Sequence, residues 1–190
     1  MKIFGGTVKG RVIRVPKGAQ LRPSTDRTRL AIFNAIGPWV EGSSFLDLCC
    51  GTGAVGIEAL SRGAERAVFV DSQRPCIDGV RETLKTFGFA EASWELLNMD
   101  FAKALHRLSG SRPFDLVYAD PPYDAVLGKP ILQALLRSGL LVRRPGTRIM
   151  LEHAGKDLSP SVEGVSLLKR YDHGAASISV YGLDEAAHAD

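Results

Sequence analysis

The segment ADPPYD, residues 119–124, combines a carboxylate, two prolines and an aromatic ring at the end of an apolar stretch. Two prolines in a row remove two backbone donors and restrict two φ angles, so this part of the chain is rigid and offers acceptors. The carboxylate and a proline-segment carbonyl can accept the two N–H bonds of a base's exocyclic amine and direct its lone pair at an electrophile. A plain turn would explain the prolines but not the two residues that flank them. We therefore predict a catalytic cradle for a flipped-out base, with the tyrosine ring stacked on it, made of Asp120, Pro121, Pro122 and Tyr123.

A glycine-rich loop, DLCCGTGAVG over residues 47–56, follows the first apolar strand and opens a helix. Gly51, Gly53 and Gly56 match the G-x-G-x-x-G pattern, and Asp71 stands 20 residues after Gly51, at the end of the next strand. A carboxylate at that position can bind a ribose hydroxyl. On this pattern alone a nicotinamide dinucleotide is a candidate ligand, and an NAD-dependent oxidoreductase remains the alternative from another enzyme class.

Asp47, four residues before Gly51, favours a different ligand because its charge would repel a pyrophosphate bound at the loop. S-adenosylmethionine carries no phosphate and has two cationic groups, the α-ammonium and the sulfonium. Asp100 follows the third strand and could accept from an adenine amino group while Met99 covers the ring, although it could equally cap a helix. Three acids at the ends of successive strands predict S-adenosylmethionine as the cofactor, because open α/β sheets bind ligands there. In-line methyl transfer needs neither a metal nor a covalent intermediate.

Short apolar strands alternate with helices through most of the chain, which predicts a doubly wound α/β domain with a mostly parallel sheet. Two further strand-like segments, 165–172 and 176–183, are separated by three residues and should pair antiparallel. We divide the chain into a basic β-hairpin extension, a methyltransferase domain and a frayed tail, over residues 1–20, 21–183 and 184–190. The predicted strands of the parallel part are residues 45–49, 66–71, 93–99, 114–119 and 147–153, with helices at about 25–36, 54–62, 75–87, 101–109 and 129–138.

Positive charge is concentrated near the N-terminus. Residues 1–29 contain eight Lys or Arg and one acid, whereas the whole chain of 190 residues has a net charge of only +3. A basic arm on a slightly acidic body indicates a polyanionic partner, since phosphate neutralisation supplies most sequence-independent nucleic-acid affinity. No apolar run approaches the roughly 18 residues of a membrane span, and the N-terminus does not read as a signal peptide. The three cysteines lack disulfide or zinc-ligand spacing. We expect a cytoplasmic protein with no membrane contact and no metal.

Five segments together resemble a known family, the bacterial 16S ribosomal RNA guanine-N2 methyltransferases of the RsmD type. The resemblance covers nearly the whole chain and implies a class I methyltransferase fold with a guanine of small-subunit rRNA as the acceptor. A DNA adenine-N6 methyltransferase is the alternative, because the DPPY sequence is shared with enzymes that methylate adenine and cytosine amines. The segments are RPSTDRTRLAIFN (22–34), FLDLCCGTGAVGIEALSRGA (45–64), VFVD (68–71), NMD (98–100) and FDLVYADPPY (114–123).

The resemblance also implies roles for individual residues. Thr25 would border the methyl donor, and the loop backbone at Cys49, Gly51 and Gly53 would pass under its methionine part. Asp71 would bind the ribose, with Asp100 facing the adenine. The acceptor would be reached within the small ribosomal subunit or an assembly intermediate. Phosphate contacts, which rest on the charge pattern, would come from Lys9, Arg11, Arg14, Arg22 and Arg27. The turn at residues 171–174 departs from the family pattern, and we assign it no role.

Overall fold

The computed structural model describes residues 1–16, 26–122 and 127–184 of the chain. The longest helix in these ranges has 14 residues, and no helix in them is long and apolar enough to cross a membrane. The helices are α1 (Asp26–Ile36), α2 (Ala54–Ser61), α3 (Arg74–Phe87), α4 (Phe101–Leu108) and α5 (Gly128–Arg137). The strands are β1 (Ser44–Leu48), β2 (Arg66–Asp71), β3 (Trp94–Asn98), β4 (Leu116–Ala119), β5 (Arg148–Ala154), β6 (Val165–His173) and β7 (Ala176–Leu183).

Within the described residues, these strands form one sheet in the order β3-β2-β1-β4-β5-β7-β6. Strands β1 to β5 run parallel to one another, whereas β7 is antiparallel to both β5 and β6. All residues of β1 and β4 are buried, as expected for central strands that have helices on both faces. The predicted α/β fold with an antiparallel C-terminal strand is therefore confirmed.

Helices cover both faces of the sheet and enclose two apolar layers. On one face, α1, α2 and α3 contribute Ile32, Ile57 and Val80 to a cluster that also contains residues of β1, β2 and β4. On the other face, α4 and α5 contribute Leu105 and Ile131 to a second cluster. With both faces covered, the carboxyl edge of the parallel strands is where a ligand can approach the sheet.

The described part of the basic N-terminal segment, residues 1–16, packs on the domain. Lys2 and Val12 form an antiparallel bridge, and the N–H of Ile3 donates to the carbonyl of Arg11 at 2.9 Å. Ile3 and Ile13 are almost fully buried in the same apolar cluster as α1, α2 and α3. This agrees with a small N-terminal β-hairpin, although its predicted end at residue 20 lies outside the described residues. Residues 185–190 of the predicted tail also lie outside them.

Arg29, which is fully buried on α1, connects this segment to α2. Its Nη2 donates to the carbonyl oxygen of Lys2 at 2.6 Å and to Oδ1 of Asp26 at 2.9 Å. Its Nε lies 3.2 Å from Oε2 of the buried Glu58, whose Oε1 accepts from Arg62. Three parts of the chain that are distant in sequence therefore depend on one buried cation.

We predict that Arg29→Ala lowers the free energy of unfolding by about 3–5 kcal/mol, because it removes one of the two cations that contact the buried Glu58 carboxylate. Urea denaturation of the variant measures this loss. Arg27→Ala is the matched control, since Arg27 is exposed on the same helix and its removal should cost less than about 1 kcal/mol. Equal stability losses for the two variants would contradict a structural role for the buried ion pair.

Candidate active site

The ends of β1, β2, β3 and β4 meet around a cavity of about 360 Å³ at the carboxyl edge of the sheet. The cavity lies where the strand order reverses, because the chain moves outward from β1 to β2 and β3 and returns to β4 on the other side of β1. The N–H of Asp120 donates to the carbonyl of Leu48 at 3.2 Å, which joins the ends of β4 and β1. The predicted site residues that line the cavity together are Cys49, Gly51, Asp71, Met99, Asp100, Asp120, Pro121 and Pro122.

The glycine-rich loop turns sharply as it leaves β1. Cys49, Gly51 and Gly53 all have left-handed φ angles, of 58°, 54° and 69°. Cys49 is the one non-glycine residue with a positive φ among those described, and that conformation is strained for a residue with a side chain. Gly53 does not line the cavity: it precedes α2, and a Cβ there would stand 2.7 Å from Cγ2 of Val80.

Asp71 forms the wall of the cavity at the end of β2. Its Oδ2 accepts the N–H of Gly51 and its Oδ1 accepts the N–H of Gln73, both at 2.8 Å. Burial, and next the charge of Asp71 and of Asp120, raise the pKa of the Cys49 thiol to about 12. The cavity therefore has a negative electrostatic environment, and Cys49 is a neutral thiol at pH 7.

Asp100 lines the cavity and also caps α4. Its Oδ1 accepts the N–H of Lys103 at 2.9 Å, and its Oδ2 lies 3.3 Å from Nζ of the same residue. The backbone hydrogen bond from Lys103 is the largest cause that lowers the pKa of this carboxyl. The helix-cap interpretation of Asp100 therefore holds in the structure, and it is compatible with a position beside a ligand.

Asp47 does not line the cavity. Its side chain is fully buried beneath the loop, where Oδ2 accepts the N–H of Gly56 at 2.9 Å. No described residue hydrogen-bonds to Oδ1, and burial raises the pKa of this carboxyl well above its usual range. The sequence argument required a charged Asp47 that acts on a ligand, whereas the structure gives it a position that supports the loop from below.

Two other residues missed by sequence reasoning lie near the end of β4. Tyr118 lines the cavity, and its hydroxyl donates to Oε2 of the buried Glu152 on β5 at 2.7 Å. Tyr118 precedes Asp120 by two residues, so the alternation of side chains along a strand could have indicated it. Glu152 had no comparable local signal. Thr25 and Tyr123, which the sequence assigned to the site, lie outside the described residues.

The predicted phosphate contacts that the structure describes, at Lys9, Arg11, Arg14 and Arg27, are all exposed. Arg11 is held against the end of α3, where it donates to the carbonyl of Thr86 at 2.8 Å and stacks over Phe87. Close to Lys9, the backbone N–H groups of Thr7 and Val8 donate to Ser61, at the C-terminal end of α2. Lys9 and Arg11 therefore lie toward the far ends of helices that begin at the cavity. The predicted contact at Arg22 falls outside the described residues.

The strand order and the position of the cavity define the class I methyltransferase fold. The family model described as "Conserved hypothetical protein 95" matches residues 1–182, and the chain belongs to that family. In the described part of the chain, no group of three or more His, Cys, Asp or Glu side chains could hold a metal ion.

The similarity to known proteins extends over nearly the whole chain. "Putative rRNA methyltransferase YlbH" of Bacillus subtilis is 32% identical over 95% of this chain and 98% of its own length. "Ribosomal RNA small subunit methyltransferase D" of Haemophilus influenzae is 28% identical over 95% and 93%. The solved structure described as "Putative methyltransferase yhhF from Escherichia coli" superposes with a TM-score of 0.84 at 26% identity, over 97% of this chain and 98% of that one. The resemblance to the RsmD family is thereby confirmed.

We predict that Asp47→Asn removes a pH dependence from stability. An unfolded Asp side chain titrates near pH ~3.9, whereas the folded one retains its proton to higher pH. Its contribution to stability is therefore complete below about pH 4 and is lost as the pH rises toward the folded pKa. The free energy of unfolding of the wild type, relative to Asp47→Asn, should fall between pH 4 and pH 8 in urea titrations.

Asp78→Asn is the control for this experiment. Asp78 is exposed, and hydrogen bonds from Arg74 and then Arg81 lower the pKa of its carboxyl, so any difference should have the opposite sign. A wild type that gains stability relative to Asp47→Asn as the pH rises would show that Asp47 is charged in the folded protein.

Proposed function

We propose that this protein is an S-adenosylmethionine-dependent methyltransferase that methylates the exocyclic N2 amine of a guanine in 16S rRNA, within the small ribosomal subunit or an assembly intermediate. The observation that carries the proposal is a cavity lined by carboxylates that opens directly on the Asp120–Pro122 segment. The names of the relatives support rRNA as the substrate class.

The charge of the cavity favours this cofactor over a dinucleotide. Asp71, Asp100 and Asp120 line it, and none of the described residues that line it is Lys or Arg. A pyrophosphate would meet three carboxylates there, whereas an ammonium and a sulfonium would be attracted by them. When bound, S-adenosylmethionine would supply a methyl group attached to a positively charged sulfur, which is an electrophile.

The residues of the chain would divide the binding of this cofactor between them. Asp71 would accept from the ribose hydroxyls, since its two oxygens are already oriented by backbone N–H groups. Met99 would pack on the adenine, with Asp100 beside it. The backbone of Cys49 and Gly51 would border the methionine part. Asp47 and Gly53 would act indirectly, through the shape of the loop.

Asp120 would orient the acceptor amine. Its carboxylate accepts one N–H, so that the nitrogen lone pair points toward the methyl carbon. S-adenosylmethionine would supply the methyl group, and the electron pair of its carbon–sulfur bond would return to the sulfur as the nitrogen–carbon bond forms. The methylated nitrogen is then positively charged and acidic, and it releases a proton to solvent. Orientation alone can supply roughly 7–11 kcal/mol of the barrier in such a transfer.

The proposal is tested by tritiated methyl transfer from S-adenosylmethionine to small ribosomal subunits from cells that lack this protein, followed by nucleoside analysis. Free rRNA and duplex DNA are the parallel acceptors. Label in N2-methylguanosine from the subunits is the expected result. Label in DNA as N6-methyladenine would retain the fold and the chemistry but contradict the ribosomal substrate. Tight binding of NADH with no binding of S-adenosylhomocysteine would contradict the enzyme class.

We predict that Asp120→Ala reduces methyl transfer by at least roughly 100-fold, because the amine loses the acceptor that orients it. The affinity for S-adenosylhomocysteine, measured by calorimetry, should survive in the folded variant. Asp78→Ala is the control, since it removes an exposed carboxylate from α3. A folded Asp120→Ala variant that no longer binds S-adenosylhomocysteine would show that this residue belongs to the cofactor site.

We also predict that reversing charge at Lys9 and Arg14 weakens the binding of small subunits and flattens its salt dependence. Each lost phosphate contact should reduce the slope of log K against log salt by about 0.7–0.9. Both residues are exposed, whereas reversal at Arg11 would also break its contacts with α3. Arg143→Glu, an exposed change in the segment before β5, is the control. An unchanged slope in the Lys9→Glu/Arg14→Glu variant would remove this segment from the RNA interface.

A further inference from the structure

A second cavity, of about 240 Å³, lies on the other side of the Asp120–Pro122 segment. Pro121, Pro122 and Leu127 line both cavities, so the two spaces share one wall. A transfer reaction needs two adjacent spaces of this kind, one for the donor and one for the acceptor. The second cavity is smaller than the roughly 300–1,000 Å³ of sites for drug-sized ligands, as suits a single base.

Glu152 is the buried acid of the second cavity, and its side chain is only 3% exposed. β4 and β5 are parallel with Ala119 opposite Leu151, so Asp120, just beyond the end of β4, is next to Glu152, which lies within β5. One carboxylate lines the first cavity and the other lines the second. The proline segment therefore begins between two acids on adjacent strands.

Tyr118 fixes the orientation of this carboxylate. Its hydroxyl donates to Oε2 of Glu152 at 2.7 Å, in a fully buried position. Burial is the largest cause that raises the pKa of the phenol, so the hydroxyl keeps its proton and remains a donor. A carboxylate has about four acceptor positions, so it can accept from Tyr118 and from a ligand at the same time.

We propose that Glu152 selects guanine by accepting hydrogen bonds from its Watson–Crick edge in the second cavity. This inference rests on the proposed function. Guanine presents the N1–H and an N2–H side by side, and both are donors that one carboxylate can accept. The second hydrogen of the N2 amine then faces Asp120. The amine is held between two acids, with its lone pair directed toward the donor cavity.

The same carboxylate would reject the other bases. Adenine has a lone pair at N1 and cytosine has one at N3, next to their amines, and each would face the acceptor oxygens of Glu152. Uracil has an N–H at N3 but no adjacent amine to methylate. A site that accepts hydrogen bonds from a ligand discriminates strongly against an analogue that presents an acceptor in place of the donor.

The rim of the cavity has side chains that suit a nucleotide rather than a free base. Lys129, exposed at the start of α5, supplies a cation at the rim, and Leu158 is an apolar residue with 89% of its surface exposed. His153 has internal partners, since its Nε2 lies 2.8 Å from Oγ of Ser179 and its Nδ1 lies 3.0 Å from the carbonyl oxygen of Ala154. These contacts use both ring nitrogens of His153, whereas the carboxylate of Glu152 has about four acceptor positions, so we assign recognition of the base to Glu152.

The test is a change of base specificity. Small subunits are reconstituted on rRNA in which the guanine identified by the methylation assay is replaced, by splinted ligation, with 2-aminopurine. This base keeps the amine at C2 but has a lone pair at N1. For the wild type, kcat/KM should be higher for subunits with guanine than for subunits with 2-aminopurine. For Glu152→Gln, whose amide can donate to N1, the ratio of guanine to 2-aminopurine should fall by roughly 10- to 100-fold. Glu163→Gln, an exposed change in the loop before β6, is the matched control and should keep the wild-type ratio.

The outcomes separate this inference from the proposed function. Wild-type enzyme that forms no N2-methylguanosine would contradict the function itself. Suppose that the wild type forms it, but Glu152→Gln lowers kcat/KM equally for guanine and 2-aminopurine, or has no activity on either while it still binds S-adenosylhomocysteine. The function then stands, and selection by Glu152 is wrong. Tyr118→Phe should lower the same ratio by less, because the carboxylate remains but loses its fixed orientation. An unchanged ratio in Tyr118→Phe would show that Tyr118 does not position Glu152.

Discussion

The hydrogen bonds of the Asp71 carboxylate hold the site together. One oxygen accepts from Gly51 in the loop after β1, and the other accepts from Gln73 at the start of α3. A carboxylate that is 7% exposed is costly unless its oxygens are hydrogen-bonded, and here each of them has a backbone donor. Because the bonds reach two different segments, the loop and the end of β2 keep a fixed geometry. The cavity wall is formed before any ligand arrives.

Backbone conformation and parallel pairing explain why the other residues reach the same place. The loop needs left-handed residues at three alternate positions, and glycine occupies two of them. Gly56 packs closely enough that its N–H bonds to Asp47, while a Cβ there would lie 2.4 Å from Cε1 of Phe69. On the other side of β1, the parallel register with β4 brings Asp120 to the end of β1, where its N–H donates to the carbonyl of Leu48. The proposed donor and acceptor spaces therefore adjoin because β4 lies between β1 and β5 in the sheet.

The sequence predicted the parts of the site that have local signals. Of the residues identified by the glycine spacing, the acids at strand ends and the two prolines, those that line the first cavity are Gly51, Asp71, Asp100, Asp120, Pro121 and Pro122. Asp47, Gly53 and Gly56 do not line it. The charged role of Asp47 could not be judged in that way, because its burial depends on α2 and Phe69, which pack over it in three dimensions. Glu152 was missed since a single acid on a strand has no local pattern, whereas the alternation of side chains along β4 could have indicated Tyr118. The contact between Arg29 and the carbonyl of Lys2 likewise depends on tertiary packing.

The two charge distributions of the molecule have opposite effects in the proposed reaction. The exposed cations of the N-terminal segment attract an RNA backbone, whereas Asp71, Asp100 and Asp120 repel phosphates from the cavity. A nucleotide can therefore approach with its phosphates outside and its neutral base directed inward. The base meets Pro121 and Pro122, whose nitrogens carry no hydrogen. They therefore present no N–H donor that would compete with the amine of the base for the acceptors of the site. The carboxylates then serve two purposes with one charge: they attract a cationic cofactor, and they accept from the amine that must be aligned with it.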